Sequence, residues 1–128
     1  MNRFPKPLKL ERTAPRKAVL TRPFVFVSPS QGKITVEKGF DTDYASIPRA
    51  FWAIYPPDGS YTEAAVVHDF LYWYQAMERA EADLVFLEGM EELGVPWVRR
   101  HLIYRSVRAF GWLAWSGNRR KRLNGVLA

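Results

Sequence analysis

The sequence has no cysteine and only two histidines, His68 and His101. The lack of cysteine excludes disulfide bonds, thiolate zinc sites, iron–sulfur clusters and cysteine nucleophiles. No apolar run approaches the roughly 18 to 20 residues of a membrane-spanning helix. The basic, proline-broken N-terminus also lacks the apolar segment of a secretory signal. The sequence therefore predicts a product made in a cytoplasm, with no signal peptide and no transmembrane helix.

Acidic residues are missing from the C-terminal quarter of the chain. Residues 96–128 carry eight Lys/Arg and no Asp/Glu, residues 50–95 carry one Arg and nine acids, and residues 1–49 carry ten Lys/Arg and four acids. One interpretation is charge complementarity between neighbouring elements, with a solvated tail. The other is a basic surface that meets lipid head groups, nucleic acid or an acidic protein. The sequence favours the other partners over nucleic acid, because no helix-turn-helix, zinc-finger or stacking motif accompanies the charge.

The remaining composition is typical of one folded domain. Of 128 residues, 48% are hydrophobic and 25% are charged, which is the balance of a globular protein with a single core. Aromatic residues make up 15%, so the core and any interface should be largely aromatic. We expect an extended basic arm over residues 1–17, one compact domain over 18–117 and a basic tail over 118–128.

Hydrophobic periodicity predicts an α+β fold. Residues 18–27 and 33–40 are rich in β-branched and aromatic residues and predict a β-hairpin, with Pro23 placing part of the first strand at an edge. Helical periods follow over residues 62–76, with Thr62 as N-cap, and then over 78–93 and 97–115. The expected architecture is an N-terminal β-hairpin or small antiparallel sheet packed on a three-helix unit.

His68 and Tyr72 lie inside a predicted helix that is apolar nearly all round, as is typical of a central, buried helix. Residues 64–72 read AAVVHDFLY. Residues four apart lie on one face, so His68 and Tyr72 point the same way. Asp69 is rotated by about 100° from His68 and flanks that face.

Asp83 falls on the apolar face of the next predicted helix, together with Phe86 and Met90. A buried carboxylate needs hydrogen-bonding or charged partners, because leaving it unpaired costs several kcal/mol. The connection between the two helices is short, so they should form an antiparallel hairpin. This arrangement predicts that Asp83 contacts His68 and Tyr72.

Two interpretations of this cluster stay open. A His–Asp hydrogen bond in a dry site fixes the imidazole tautomer and prepares the histidine to take a proton from water. Asp69 could then bind calcium with oxygens from the Asp58-Gly59 loop or the Asp41–Asp43 loop. Alternatively, the side chains satisfy one another's hydrogen bonds in the core and do no chemistry.

The segment His68-Asp69-x-x-Tyr72, followed on the next helix by Asp83, resembles the active-site helices of secreted and viral phospholipase A2 domains. The resemblance implies that His68 is the general base toward water and that Asp69 binds Ca²⁺. It also implies that Asp83 orients His68 and that Tyr72 is a hydrogen-bond partner of Asp83. The reaction implied is calcium-dependent hydrolysis of an ester.

A second resemblance covers more of the chain. The patterns are GF-x-TD-x-ASIPR over residues 39–49, PP-x-G-x-Y-x-x-AA-x-x-HD-x-LY over 56–72, AD-x-x-F over 82–86 and LGV over 93–95. They resemble the phage and prophage family of domains of unknown function numbered 1353. This resemblance implies a bacteriophage origin, synthesis in the host cytoplasm and service in the virion, in contact with other phage structural proteins. It implies no reaction.

Two further site candidates precede the first predicted helix. Asp43 begins an Asp43-x-x-Ser46 pattern that is typical of an Asx or N-cap turn. Alternatively, Asp43 is a further ligand or acid beside His68. Arg49 is either an anion contact or the partner of an acid in the middle of the chain.

The third predicted helix carries its arginines mostly on the outside, including Arg108, and His101 on it is expected to be structural. Its end combines Trp112 and Trp115 with the basic run Arg119–Arg122. This composition suits a bilayer interface or the cell envelope.

Three hypotheses of function follow. The first is a small phage-encoded accessory protein, associated with the tail or neck of the particle and built around a helical His-Asp/Asp site. The second is a phospholipase A2-like ester hydrolase with His68 as general base. The third, a nucleic-acid-binding module, depends on charge alone.

Overall fold

The computed structural model describes residues 2–14, 17–42 and 61–123. Strands come first and helices follow, so the chain is α+β, as predicted. The elements in chain order are β1 (Leu10–Ala14), β2 (Lys17–Leu20), β3 (Phe24–Ser28), β4 (Gly32–Val36), β5 (Asp41–Thr42), α1 (Thr62–Tyr74), α2 (Arg79–Glu92), α3 (Trp97–Phe110) and α4 (Trp112–Leu123).

The strands form two small antiparallel sheets. β3 and β4 are the predicted hairpin, with Phe26 opposite Ile34, and alternate residues of β3 are buried. The predicted first strand over residues 18–27 is wrong in extent, because β2 belongs to a separate sheet of order β1-β2-β5. The chain bends at residues 21 and 22, and Pro23 has no N–H with which to continue a ladder.

The N-terminal segment, predicted to be an extended arm over residues 1–17, packs against the rest of the protein and contains β1. The Phe4 ring stacks on Phe24 and Phe26, with centroids 5.5 and 4.6 Å apart. The Val27 N–H donates to the Arg3 carbonyl oxygen at 2.8 Å. Burial of an aromatic ring offsets the entropy lost when such a segment becomes ordered.

Helices α1 and α2 form the predicted antiparallel hairpin. They approach closely at Gly89, where a Cβ atom would lie 2.9 Å from the Cβ atom of Ala64. α2 ends in a Schellman motif, in which Gly94 takes a φ of 77° and the Val95 N–H donates to the Met90 carbonyl oxygen at 3.0 Å. Glycine adopts this left-handed conformation without steric cost.

The single helix predicted over residues 97–115 is two helices that meet at Gly111. A Cβ atom at this position would clash with the Tyr72 hydroxyl oxygen and lie 3.2 Å from Arg79 Nη1. Glycine therefore lets the α3–α4 junction approach α1 and α2. Residues 118–123, assigned to the basic tail from sequence, belong to α4.

The core has two parts. The first lies between the β-strands and α1 and includes Phe24, Phe26, Val36, Val66 and Val67. The second lies among α1, α2 and α3 and includes Ala64, Phe86, Met90 and Ile103. Across the described ranges, none of the helices combines the length and apolar character needed to cross a bilayer.

Candidate functional site

Asp83 is the centre of the candidate site. Its side chain is 0% exposed, and it accepts hydrogen bonds on both oxygens. His68 Nε2 lies 2.9 Å from Oδ1, and the Tyr72 hydroxyl donates to the same oxygen at 2.6 Å. Arg79 Nη1 and Arg108 Nη1 donate to Oδ2 at 3.3 and 2.8 Å. The predicted contact of Asp83 with His68 and Tyr72 is confirmed, whereas their catalytic roles stay predictions.

The imidazole of His68 is held by aromatic rings as well as by Asp83. Its centroid lies 4.2 Å from that of Tyr72, one turn along α1, and 4.5 Å from that of Phe86 on α2, at an interplanar angle of 23°. The His68 side chain is 12% exposed. The ring is thus fixed in orientation and still reaches solvent.

Two arginines of the cluster were not predicted from sequence. Arg79 precedes Asp83 by four residues on α2, a spacing that signals an ion pair within a helix. It also donates to the carbonyl oxygens of Val107 and Arg108, at 3.0 and 3.2 Å. Arg108 was expected on the outside of α3, but its side chain is only 35% exposed because it turns toward Asp83. Nothing in the sequence distinguishes Arg108 from its arginine neighbours.

The environment of Asp83 favours the ionised carboxylate. Burial alone raises the pKa of Asp83, but hydrogen bonds from His68, Tyr72 and Arg108 outweigh it and hold the pKa below its ordinary value of 3.8. Burial and the hydrogen bond to Asp83 raise the pKa of the Tyr72 phenol. The hydrogen bond to Asp83 likewise raises the pKa of Arg108.

The ionised state of Asp83 determines the tautomer of His68. A carboxylate only accepts hydrogen bonds, so the proton of a neutral imidazole must reside on Nε2, which faces Asp83 at 2.9 Å. Nδ1 then carries a lone pair. Within the described ranges, Asp83 is the one residue that hydrogen-bonds to the His68 ring. The arrangement supplies a proton acceptor backed by a buried carboxylate.

Asp69, the predicted calcium ligand, lies beside this cluster and faces the sheet. Its Oδ2 accepts a 2.7 Å hydrogen bond from the hydroxyl of Thr42, which ends β5 and is buried. No cluster of three or more His, Asp or Glu side chains suited to a metal ion forms in the part of the chain described. The loop oxygens that were expected to complete a calcium site lie largely outside the described residues, so the role of Asp69 as a calcium ligand stays a prediction.

Several predicted site residues fall outside the described ranges. Asp43 and Arg49 are among them, as is the Asp58-Gly59 loop that was expected to offer oxygens to calcium. Their predicted roles therefore stay predictions.

The tryptophans and basic residues near the C-terminus divide between two sides of α4. Trp115 packs edge-on against Tyr72 at a centroid distance of 5.1 Å, and Arg122 donates to the Gln75 side chain at 2.9 Å. Trp112 is 53% exposed. The other histidine, His101, stacks on Trp97 at 4.2 Å, away from the cluster around Asp83.

Comparison with known proteins places the chain in a family. Residues 18–107 match the family described as "Protein of unknown function (DUF1353)". The chain is also 33% identical over 94 residues to "Uncharacterized protein y4jT" of Sinorhizobium fredii (strain NBRC 101917 / NGR234), a match that covers 72% of this chain and 28% of that protein. The chain thus spans less than a third of the length of this relative. No solved structure matches this chain. Since the family match covers well over half of the chain and includes His68, Asp69, Tyr72 and Asp83, the protein belongs to the DUF1353 family.

Proposed function

We propose that the domain is a hydrolase in which His68 is the general base and an ester is the substrate class. The observation that carries the proposal is the hydrogen bond between His68 Nε2 and the buried, ionised Asp83. No described residue hydrogen-bonds to Nδ1, which is the remaining acceptor on a ring that is partly exposed. A histidine whose second nitrogen is fixed by a carboxylate is suited to accept a proton from water.

The reaction requires one proton transfer to His68 and one proton transfer from it. A water molecule donates a proton to His68 Nδ1 while its oxygen attacks the ester carbonyl carbon. The bond from that carbon to the alkoxide leaving group then breaks, and the proton passes from Nδ1 to the alkoxide oxygen. The products are a carboxylic acid and an alcohol. Asp83 stabilises the imidazolium between the two transfers, since the two opposite charges lie in contact and the carboxylate is buried.

Tyr72 and the two arginines act through Asp83 and are positioning residues. Tyr72 shares Oδ1 with His68, whereas Arg79 and Arg108 occupy Oδ2. With Oδ2 occupied, Oδ1 remains directed at His68. The orientation of the base is therefore set by contacts from three helices.

The test compares two histidine variants. His68→Gln keeps an N–H donor that can reach Asp83 but removes the base. The side chain that it replaces is 12% exposed. His101→Gln is the matched control on α3. The probes are p-nitrophenyl acetate, p-nitrophenyl decanoate and phosphatidylglycerol vesicles. We expect the wild type to hydrolyse at least one probe, His68→Gln to be slower by about 10²- to 10⁴-fold, and His101→Gln to retain the rate.

A second measurement does not depend on the variant's folding. Long-range ¹H–¹⁵N NMR of the wild-type imidazoles reports which nitrogen of His68 is protonated. The proposal requires the Nε2–H tautomer, because Nδ1 must be free. A protonated Nδ1 in the neutral ring, no turnover of any probe by the wild type, or an unchanged rate in His68→Gln would each overturn it.

A second candidate function is a non-enzymatic accessory component of a phage particle. The observation that favours it is the pair of arginines, because a carboxylate held by four donors from three helices is suited to keep a scaffold rigid. Mass spectrometry of particles purified from an induced lysogen that carries the gene tests this candidate. The polypeptide is expected at a fixed ratio to the tail or neck proteins, and its absence from the particles removes the candidate.

A further inference from the structure

We propose that the outer face of α3 and α4 binds the surface of an anionic lipid bilayer. The outer face is defined by the exposed large apolar side chains of these two helices. They are seven of the nine such side chains in the described ranges, each 47% to 76% exposed: Trp97, Val98, Leu102, Phe110, Trp112, Leu113 and Leu123. This inference does not depend on the role of His68.

On α3 a row of exposed residues runs along one side of the helix and includes two of the apolar side chains, Val98 and Leu102. Val98, Leu102, Arg105 and Ala109 are separated by four, three and four residues, so they form one row along the helix, and all four are exposed. Ile103, on the opposite side, is 0% exposed. The exposure therefore belongs to a continuous face of an ordered helix and not to a frayed end.

On α4 the opposite side is occupied by contacts with α1. Gln75 Nε2 donates to the Trp115 carbonyl oxygen at 2.8 Å, and Arg122 donates back to Gln75 Oε1 at 2.9 Å. Leu113 and Arg120 lie seven residues apart on the other side, and both are exposed. The contacts with α1 thus orient α4 so that Leu113 and Arg120 face outward.

The charge of this face is of one sign. Residues 96–128 contain eight Lys/Arg and no acid. Three of the arginines are turned inward: Arg100 bonds the Val95 carbonyl, Arg108 bonds Asp83 and Arg122 bonds Gln75. The exposed basic residues are Arg99, Arg105, Arg119, Arg120 and Lys121. They lie on the same helices as the exposed apolar side chains.

This combination fits an anionic bilayer better than a nucleic acid. Nucleic acid binding uses basic charge but gains little from exposed leucine and valine. Helices that lie in a membrane interface combine apolar side chains with Arg and Lys, and tryptophan is enriched at that depth. An acidic protein would match both the charge and the aromatic residues, and a failure to bind vesicles would favour such a partner.

Vesicle sedimentation with the full chain tests the proposal. The probes are phosphatidylcholine vesicles with about 30 mol% phosphatidylglycerol, phosphatidylcholine vesicles alone, and duplex DNA as competitor. One variant, Trp112→Ser/Leu113→Ser, removes apolar contacts. The other, Arg119→Gln/Arg120→Gln/Lys121→Gln, removes charge. The matched controls are Leu84→Ser, an apolar residue 37% exposed on α2, and Lys33→Gln/Lys38→Gln on the β side.

We expect the wild type to bind the anionic vesicles and both outer-face variants to bind on the order of tenfold more weakly or worse. The two controls should bind as the wild type does, and raising the salt from about 0.1 M to about 1 M should weaken binding. Equal binding to neutral vesicles, unchanged binding by the outer-face variants, or binding to DNA without vesicles would overturn the proposal. His68→Gln should bind vesicles normally, which separates this result from that of the ester assay.

Discussion

Arg108 Nη1 lies 2.8 Å from Asp83 Oδ2 and fastens α3 to the α1–α2 hairpin. The two residues are 25 positions apart, and each is the other's counter-charge. His68 and Tyr72 bond the second oxygen of the same carboxylate. The site that would do chemistry is thus also the point at which three helices are joined, so its variants must be judged by stability as well as by activity.

Asp83→Asn should destabilise the protein. The amide has the size of the carboxylate, but it leaves two arginines without their counter-charge. Its NH₂ group also faces a hydrogen-bond donor where the wild type has an accepting oxygen. Removing one partner of a buried ion pair costs about 3–5 kcal/mol. Urea unfolding monitored by circular dichroism measures the change. Glu91→Gln, at an exposed position on α2, is the control and should stay within about 0.5 kcal/mol. Equal stability of both variants would contradict this account.

The stabilising effect of Asp83 should be lost in acid. The pKa of Asp83 is lowered in the folded state from an ordinary value of 3.8, so the unfolded chain takes up the proton first as the pH falls. The contribution is therefore complete above the unfolded pKa and disappears as the pH falls through the folded one. The gap in unfolding free energy between wild type and Asp83→Asn should narrow from about pH 6 to about pH 3. A gap that is constant over this range would show that charge is not its cause.

Tyr72→Phe should cost stability and remove one late step from the alkaline titration. The hydroxyl donates to Asp83 at 2.6 Å, and hydrogen bonds to charged groups contribute about 1.5–3 kcal/mol. Burial and Asp83 raise the pKa of the Tyr72 phenol, so it should ionise after the exposed tyrosines. Ultraviolet absorbance during alkaline titration measures this. If Tyr72→Phe still shows the late-titrating phenol of the wild type, the assignment of that phenol to Tyr72 is wrong.

Gly111→Ala and Gly117→Ala should have opposite effects. A Cβ atom at Gly111 meets the Tyr72 hydroxyl, whereas one at Gly117 on α4 has nothing within 4 Å. Alanine is better than glycine in a helix by about 1 kcal/mol. Gly117→Ala should therefore raise the thermal midpoint, and Gly111→Ala should lower it despite the better propensity. A rise in both would mean that the α3–α4 junction can move away from Tyr72 at little cost.

The α1–α2 hairpin and its cluster could be predicted because their signals are local. His68 and Tyr72 are one turn apart, the connection to α2 is short, and a carboxylate on an apolar face needs partners. Arg108 could not be predicted in this way. Its contact with Asp83 depends on how α3 crosses the hairpin, and that crossing depends in turn on Gly111, which leaves room beside Tyr72.

The formation of β1 and the length of α4 depend on tertiary packing, which the secondary-structure preferences of their residues do not indicate. Leu10–Ala14 has few β-branched residues, and it becomes a strand because it pairs with β2. Gly117 and Asn118 normally end helices. Here the helix continues through Asn118, whose amide donates to the Tyr72 carbonyl oxygen at 3.4 Å, and tertiary packing supplies most helix stability.

The contacts of Arg3 tie the N-terminal segment to two distant parts of the chain. Its backbone N–H donates to Glu92 Oε2, 89 residues further along the chain, and its guanidinium donates to the Val27 carbonyl oxygen at 3.1 Å. The full set of Arg3 contacts therefore forms only when β3 and the end of α2 are both in place, so a change at either element loosens the same N-terminal segment.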